Sequence, residues 1–298
     1  MSGYRGRFAP TPSGPLHLGS LLTALASFLD ARAQQGAWLL RIDDLDTQRV
    51  SPGAEAEILR QLESHALQWD GPIRRQSQHL DEYRAALDGL SRRQLLYRCN
   101  CSRALLAQSS LPGLDGAIYP GTCRDKQLSD ADLALRLRLP DQELSFDDAG
   151  QGLQRRNLAM DIGDFVVCRR DGVIAYQLAC AIDEHAQTIT HVVRGADLLG
   201  SSFMQLQLMQ LLRLREPRYR HLPVLVDSEQ RKFSKQNHSL AIATAQASAN
   251  LLRCLSLLGQ SPPPALSRAL PAEILAWAAP HWRADKLPRR ASIEMRTL

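Results

Sequence analysis

Arg7-Phe-Ala-Pro-Thr-Pro-Ser-Gly-Pro-Leu-His17-Leu-Gly19-Ser20 is the stretch on which the fold turns. Arg5 to Ala9 is a short extended segment, and Pro10, Pro12, Gly14 and Pro15 make the loop behind it. From there Leu18, Leu21, Leu22, Leu25, Phe28 and Leu29 recur at spacings of three, four and seven, which predicts a helix. Gly36 ends it, and Ala37 to Ile42 is a dense apolar run suited to a buried strand. Strand, helix and strand in that order form a βαβ unit, so an α/β fold with a parallel sheet and a right-handed crossover is expected.

Further along, residues 52–96 read as helical, interrupted near Trp69-Asp70-Gly71-Pro72. Ala134 to Leu139, Phe165 to Cys168, Thr188 to Val193 and His221 to Val226 read as strands, and Ser202 to Leu212 as a helix. Tyr176 to Ile182 is apolar. From about Leu240 the chain is rich in Ala and Leu and helical in pattern, broken at Pro262-Pro-Pro. With 44% hydrophobic and 22% charged residues, a sizeable core is available. No run approaches a membrane span, and the start lacks the apolar stretch of a signal peptide, so a cytoplasmic protein is the expectation. The net charge of +5 is spread along the chain and favours a polyanionic partner only weakly.

Two short motifs carry phosphate chemistry. The first is Pro15-Leu-His17-Leu-Gly19-Ser20, at the point where a loop becomes a helix. Free N–H groups and the helix dipole favour an anion there, Gly19 leaves room for a nucleotide, and His17 can donate to phosphate oxygens. The second is Lys232-Phe-Ser234-Lys235, after a predicted strand, where two cations flank a hydroxyl and could clamp a triphosphate. Taken singly, the first is equally a loop histidine ahead of a helix and the second a solvated basic loop.

Taken together they resemble the paired HIGH and KMSKS signatures of class I aminoacyl-tRNA synthetases. The glutamyl branch is the match, through the stretch from Arg7 to Gly19, Arg41-Ile-Asp43-Asp-Leu-Asp, Ala175-Tyr176, and Thr190-His-Val-Val-Arg194-Gly-Ala-Asp197. Residues 4–240 carry the resemblance. Within the branch the chain is most similar to the glutamyl-Q tRNA(Asp) synthetases, which look like glutamyl-tRNA synthetases without the anticodon-binding domain. Ser20, Gln236-Asn237-His238 after the lysine motif, and Cys99-Asn-Cys101 fit that subgroup, and about 60 residues after Lys235 are too few for the missing domain. The architecture implied is a Rossmann-like core over 1–240, an inserted zinc-bearing region at about 97–125, and a helical segment over 241–298.

The resemblance also implies roles. His17, Gly19 and Lys235 would be catalytic, and Ser20, Lys232 and Ser234 would join them around ATP. Arg7 and Arg194 would meet the carboxylates of L-glutamate, Asp43 its ammonium, and Tyr176 would orient it, with Phe8, Ala9, Pro10 and Thr11 lining the pocket. Arginine suits carboxylate through its bidentate fork. Taken alone, Asp43 could pair with Arg41, Tyr176 could be a core aromatic, and Arg194 could be solvated. Asp43 stands where most relatives carry glutamate, and Phe233 replaces the methionine of the lysine motif.

Cys99, Cys101 and Cys123 cluster in a polar stretch where packing gives no reason for three thiols, so one structural zinc per chain is expected. The subgroup's pattern adds Tyr119 as the fourth ligand. Cys168, Cys180 and Cys254 sit in apolar runs and read as core. Mg2+ is expected with ATP. The implied reaction is formation of glutamyl-adenylate and transfer of glutamate to queuosine in the anticodon of tRNA(Asp). The alternatives are a minimal glutamyl-tRNA synthetase charging the tRNA 3′ end, or a non-catalytic tRNA-binding paralogue. No apolar stripe is set aside for a partner, so a monomer is expected.

Overall fold

The computed structural model describes residues 3–113, 116–229, 231 and 241–295. It opens with the expected unit: β1 (Arg5–Phe8), α1 (Leu18–Ala33) and β2 (Ala37–Ile42), with β1 and β2 parallel and Arg7 opposite Leu39. α1 is buried on nearly every side, from Leu21 through Ala31, because the sheet lies on one face and helices from the end of the chain on the other. Gly36 closes the turn into β2; a Cβ there would stand 2.5 Å from the Tyr4 carbonyl oxygen, so only glycine lets the two segments meet.

The predicted helical stretch resolves into α2 (Ala54–Ser64), a two-residue strand β3 (Arg74–Arg75) parallel to β2, and α3 (Leu80–Arg92). Next come β4 (Leu96–Cys99), α4 (Arg103–Ser109) and the small hairpin of β5 (Leu111–Gly113) and β6 (Gly116–Ile118). β7 (Ala134–Leu137) pairs antiparallel with β4, and later with β10 (Val166–Cys168). Between them lies a hairpin of β8 (Glu143–Asp148) and β9 (Gly152–Asn157).

The second half of the parallel sheet follows. α5 (Tyr176–Ala186) accounts for the apolar run at 176–182. β11 (His191–Gly195), α6 (Leu199–Leu212) and β12 (Arg218–Leu222) form another βαβ unit with parallel strands. β8 then joins the far edge of β12 in parallel. The two halves meet where the Thr190 N–H donates to the Arg5 carbonyl oxygen at 2.9 Å, so β1 has β2 on one side and β11 on the other. A crevice opens at the carboxyl ends of such neighbouring strands, where the winding changes direction.

Two expected strands shift. The stretch 188–193 begins as the close of α5: Thr188 takes φ 52°, its N–H donating to the His185 carbonyl, and β11 starts only at His191. The stretch 221–226 is two strands, because Pro223 has no N–H to extend the ladder of β12. β13 (Val224–Val226) leaves it and pairs in parallel with β14 (Ser292–Glu294). The end of the chain holds α7 (Ala247–Leu257) and α8 (Pro271–Ala278) beside β14, and α7 packs on α1. Among the described residues no helix is long and apolar enough to cross a membrane.

Candidate active site

At the carboxyl ends of β1 and β11 lies a cavity of about 580 Å3, within the range of small-molecule sites. Its wall is built from the end of β1 and the following loop (Arg7 to Thr11, Ser13), the start of α1 (Leu16, His17, Gly19, Ser20, Thr23) and the end of β11 (Val193 to Gly195, Asp197, Leu198). Arg49, Tyr176 and Pro223 to Leu225 complete it. Thus Arg7, Phe8, Ala9, Pro10, Thr11, His17, Gly19, Ser20, Tyr176 and Arg194 share one cavity. Asp43 is not on its wall; the carboxylate is buried and grips Arg41. Lys232, Ser234 and Lys235 lie outside the described residues.

His17 is the N-cap of α1, and its Nδ1 accepts the Ser20 N–H at 3.2 Å. That leaves the proton of a neutral ring on Nε2, 3.0 Å from the Ser20 hydroxyl. The ring folds over the first turn because position 19 is glycine: a Cβ there would stand 3.2 Å from two ring atoms. The space that Gly19 was expected to leave for a nucleotide is occupied by the His17 ring. The first turn of α1 contains no acidic residue, so the positive end of the helix dipole is not offset from within the turn.

Charge is distributed unevenly around the cavity. Arg7 is buried, and its Nε donates to both oxygens of Glu184, at 2.9 and 3.1 Å. Glu184 also receives Arg41 at 3.3 Å, while Arg41 holds Asp43 at 2.7 Å. Burial alone would raise the Glu184 carboxyl, but Arg7 and Arg41 outweigh it and hold it below its ordinary value. Arg194 is equally buried, at 4% exposure, yet its partners are all formally neutral groups: Nε to His221 Nε2 at 3.1 Å, and its two terminal nitrogens to Gln205 Oε1 at 2.9 Å and Ser202 Oγ at 2.7 Å. No carboxylate pairs with it among the described residues. A buried cation at the wall of a cavity, with no carboxylate paired to it among the described residues, suits an anionic group.

Glu184, His221, Asp148, Ser202 and Gln205 escaped the sequence reading. Glu184, Ser202 and Gln205 stand out only as polar residues in the largely apolar helices α5 and α6, whereas His221 and Asp148 lie in the polar strands β12 and β8, which give no such signal.

A second cluster lies apart, at the end of β4. The sulfurs of Cys99, Cys101 and Cys123 are all within 4.8 Å of one another, with Cys101 and Cys123 3.5 Å apart. The Tyr119 oxygen lies 3.5 Å from the Cys99 sulfur and 3.7 Å from that of Cys101. Metal–sulfur bonds of about 2.3 Å in a tetrahedron put the donors about 3.7 Å apart, so the four groups suit a metal. The Cys123 N–H donates to the Tyr119 oxygen at 2.8 Å, and Arg136 lies over the phenol ring at 3.7 Å. Burial raises the Cys99 thiol, but hydrogen bonds from Tyr119 and Arg136 outweigh it and bring it to about 7. Burial and the thiols push the Tyr119 phenol up, so it would ligate as phenolate only if a cation offset that cost.

Residues 4–263 match the family model of class I tRNA synthetases (E and Q), catalytic domain. The glutamyl-Q tRNA(Asp) synthetase of Pseudomonas aeruginosa strain PAO1 is 48% identical over 292 residues, covering 98% of each chain. That of Dechloromonas aromatica is 46% identical over 295 residues, again 98% of each. Among solved structures, a glutamate tRNA ligase from Elizabethkingia meningosepticum aligns with a TM-score of 0.78 at 24% identity. That alignment covers 97% of this chain and 66% of the ligase, so this chain spans a little under two thirds of its length. The chain belongs to the class I tRNA synthetases of the glutamate and glutamine branch, a family of ligases, and groups with its glutamyl-Q members.

Proposed function

We propose that the chain activates L-glutamate with ATP and passes the glutamyl group to queuosine in the anticodon of tRNA(Asp). The observation that carries the first half is Arg194: a buried guanidinium with no carboxylate paired to it among the described residues, in the same cavity as the first turn of α1. The second half rests on kinship with glutamyl-Q tRNA(Asp) synthetases along nearly the whole chain.

In this reading one carboxylate of glutamate docks on Arg194, and Tyr176, 36% exposed at the cavity mouth, orients the substrate. Arg7 is already balanced by Glu184, so it contributes shape and a shared field more than a free charge. Asp43 acts on the ammonium from behind the wall, through space or a water, because Arg41 holds its oxygens. The other carboxylate attacks the α-phosphorus of ATP; the bond to the β-phosphate oxygen breaks, and pyrophosphate leaves with that electron pair. His17 Nε2–H and the N–H groups of α1 face the charge that spreads over the phosphates, and Lys232, Ser234 and Lys235 complete the clamp. Mg2+, when bound, neutralises phosphate charge. An acceptor hydroxyl then attacks the glutamyl carbonyl and expels AMP. Positioning and electrostatics suffice, with no protein nucleophile.

Cys99, Cys101, Cys123 and Tyr119 would hold one zinc ion, which ties β4 to the loop ahead of β7. The core at 1–240 and the helical segment at 241–298 would act as one body, since α7 and α1 share a core. ATP–pyrophosphate exchange with a panel of amino acids tests the activation step. Exchange with glutamate alone is expected; exchange with another amino acid, or with none, would overturn it.

A further inference from the structure

Arg194 Nε can only donate, so the atom it meets, His221 Nε2 at 3.1 Å, must accept. The imidazole proton is therefore on Nδ1, which points at Asp148 Oδ2 from 2.6 Å. Asp148 is itself fixed: its Oδ1 accepts the N–H groups of Gly150 (2.9 Å), Gln151 (2.8 Å) and His221 (3.1 Å). His221 and Asp148 come from neighbouring strands, β12 and β8, and both side chains are fully buried. Gly150 lets the chain pass so close, since a Cβ there would stand 2.2 Å from the His221 carbonyl oxygen. The result is a chain of defined direction, Asp148 to His221 to Arg194, ending at the cavity.

We propose that Asp148 and His221 are positioning residues for substrate recognition, fixing the imidazole as an acceptor that aims the Arg194 guanidinium at the substrate carboxylate. This rests on the glutamate reading of Arg194. A doubly protonated ring would present N–H to N–H, and a ring with its proton on Nε2 would do the same; Asp148 excludes the second of these. Gln205 and Ser202 hold the other two nitrogens, and the Ser202 hydroxyl itself lies 3.0 Å from His221 Nε2, so loss of His221 leaves Arg194 present but loosens both its Nε and its Ser202 contact.

The test is ATP–pyrophosphate exchange on the full chain, reading KM for glutamate and for ATP separately. His221→Leu removes the acceptor and is expected to raise the glutamate KM about tenfold or more, with the ATP KM within about twofold. His221→Gln offers an acceptor oxygen near the place of Nε2 and is expected to recover most of that loss. Asp148→Asn, nearly the same shape, is expected to raise the glutamate KM several-fold, and this variant and His221→Gln carry the test if His221→Leu does not fold. A glutamate KM unmoved by these changes, an equal rise in the ATP KM, or His221→Gln as poor as His221→Leu would each overturn the proposal. Arg194→Gln separates the two layers. If it raises the glutamate KM strongly while His221→Leu does not, only the positioning role falls; if it has no effect, the glutamate reading of Arg194 falls and takes the proposal with it.

Discussion

Glu184→Gln is the substitution whose cost follows most directly from the buried charges. Glu184 is 1% exposed and is the sole ion-pair partner of Arg7 among the described residues, at 2.9 Å. Arg41 also touches it, at 3.3 Å, but keeps Asp43 at 2.7 Å and Asp183 at 3.6 Å. The substitution thus strands one buried cation, Arg7, and leaves the other paired. Breaking a buried pair costs about 3–5 kcal/mol. Glutamine preserves one acceptor for Arg7 Nε, which argues for the lower end, about 3 kcal/mol. Equilibrium urea unfolding followed by tryptophan fluorescence, with Trp38 fully buried as reporter, measures it. Replacing both partners with methionine should be less costly than Glu184→Gln, because no unpaired charge then remains. A loss below about 1 kcal/mol for Glu184→Gln would show that Arg7 is balanced by some other group, and the contrast between Arg7 and Arg194 would fail.

Three further outcomes follow. Purified protein should carry one zinc per chain by elemental analysis, and Cys123→Ser should lose it together with a tyrosinate absorbance change on zinc loading; full zinc without Cys123 would refute the site. Stability should fall on the acid side: burial and nearby Arg194 lower His221 despite its Asp148 bond, and burial lowers His65 despite its bond to the Gln61 carbonyl. The unfolded chain therefore binds protons the folded one refuses, so stability is full above about pH 6.5 and declines below it, and Asp148, held low by His221 and backbone N–H groups in spite of burial, adds loss in the same direction below about pH 4. A melting temperature unchanged from pH 7.5 to 5 would contradict this. Lys235→Ala should remove most glutamate activation and leave the melting temperature unchanged; full exchange activity would overturn its role.

The opening βαβ unit was legible because one strongly periodic helix lies between two short strands with a proline-rich loop, a local pattern. The cavity wall was legible at Arg7, His17, Gly19, Tyr176 and Arg194 through motif resemblance, and those residues do converge. Two kinds of feature were not. In the hairpin at 143–157 only Leu144 and Phe146 of β8 supply apolar side chains to the core, and β9 (Gly-Leu-Gln-Arg-Arg-Asn) has no buried residue, so the alternation is too short to mark two strands. The polar partners Glu184, His221 and Asp148 come from α5, β12 and β8, far apart in sequence, and no spacing rule links them. The same limit governed Asp43: its identity suggested a substrate contact, while the contact it makes was set by Arg41, two residues earlier.

The acceptor of the glutamyl group separates a queuosine-modifying enzyme from a charging synthetase. Labelled glutamate, ATP and the enzyme should be incubated with total tRNA prepared with and without queuosine, and the label mapped by nuclease digestion. Label is expected only on queuosine-containing tRNA(Asp), within the anticodon loop. Label on the 3′ end of tRNA(Glu), independent of queuosine, would contradict that and make the chain a minimal charging synthetase.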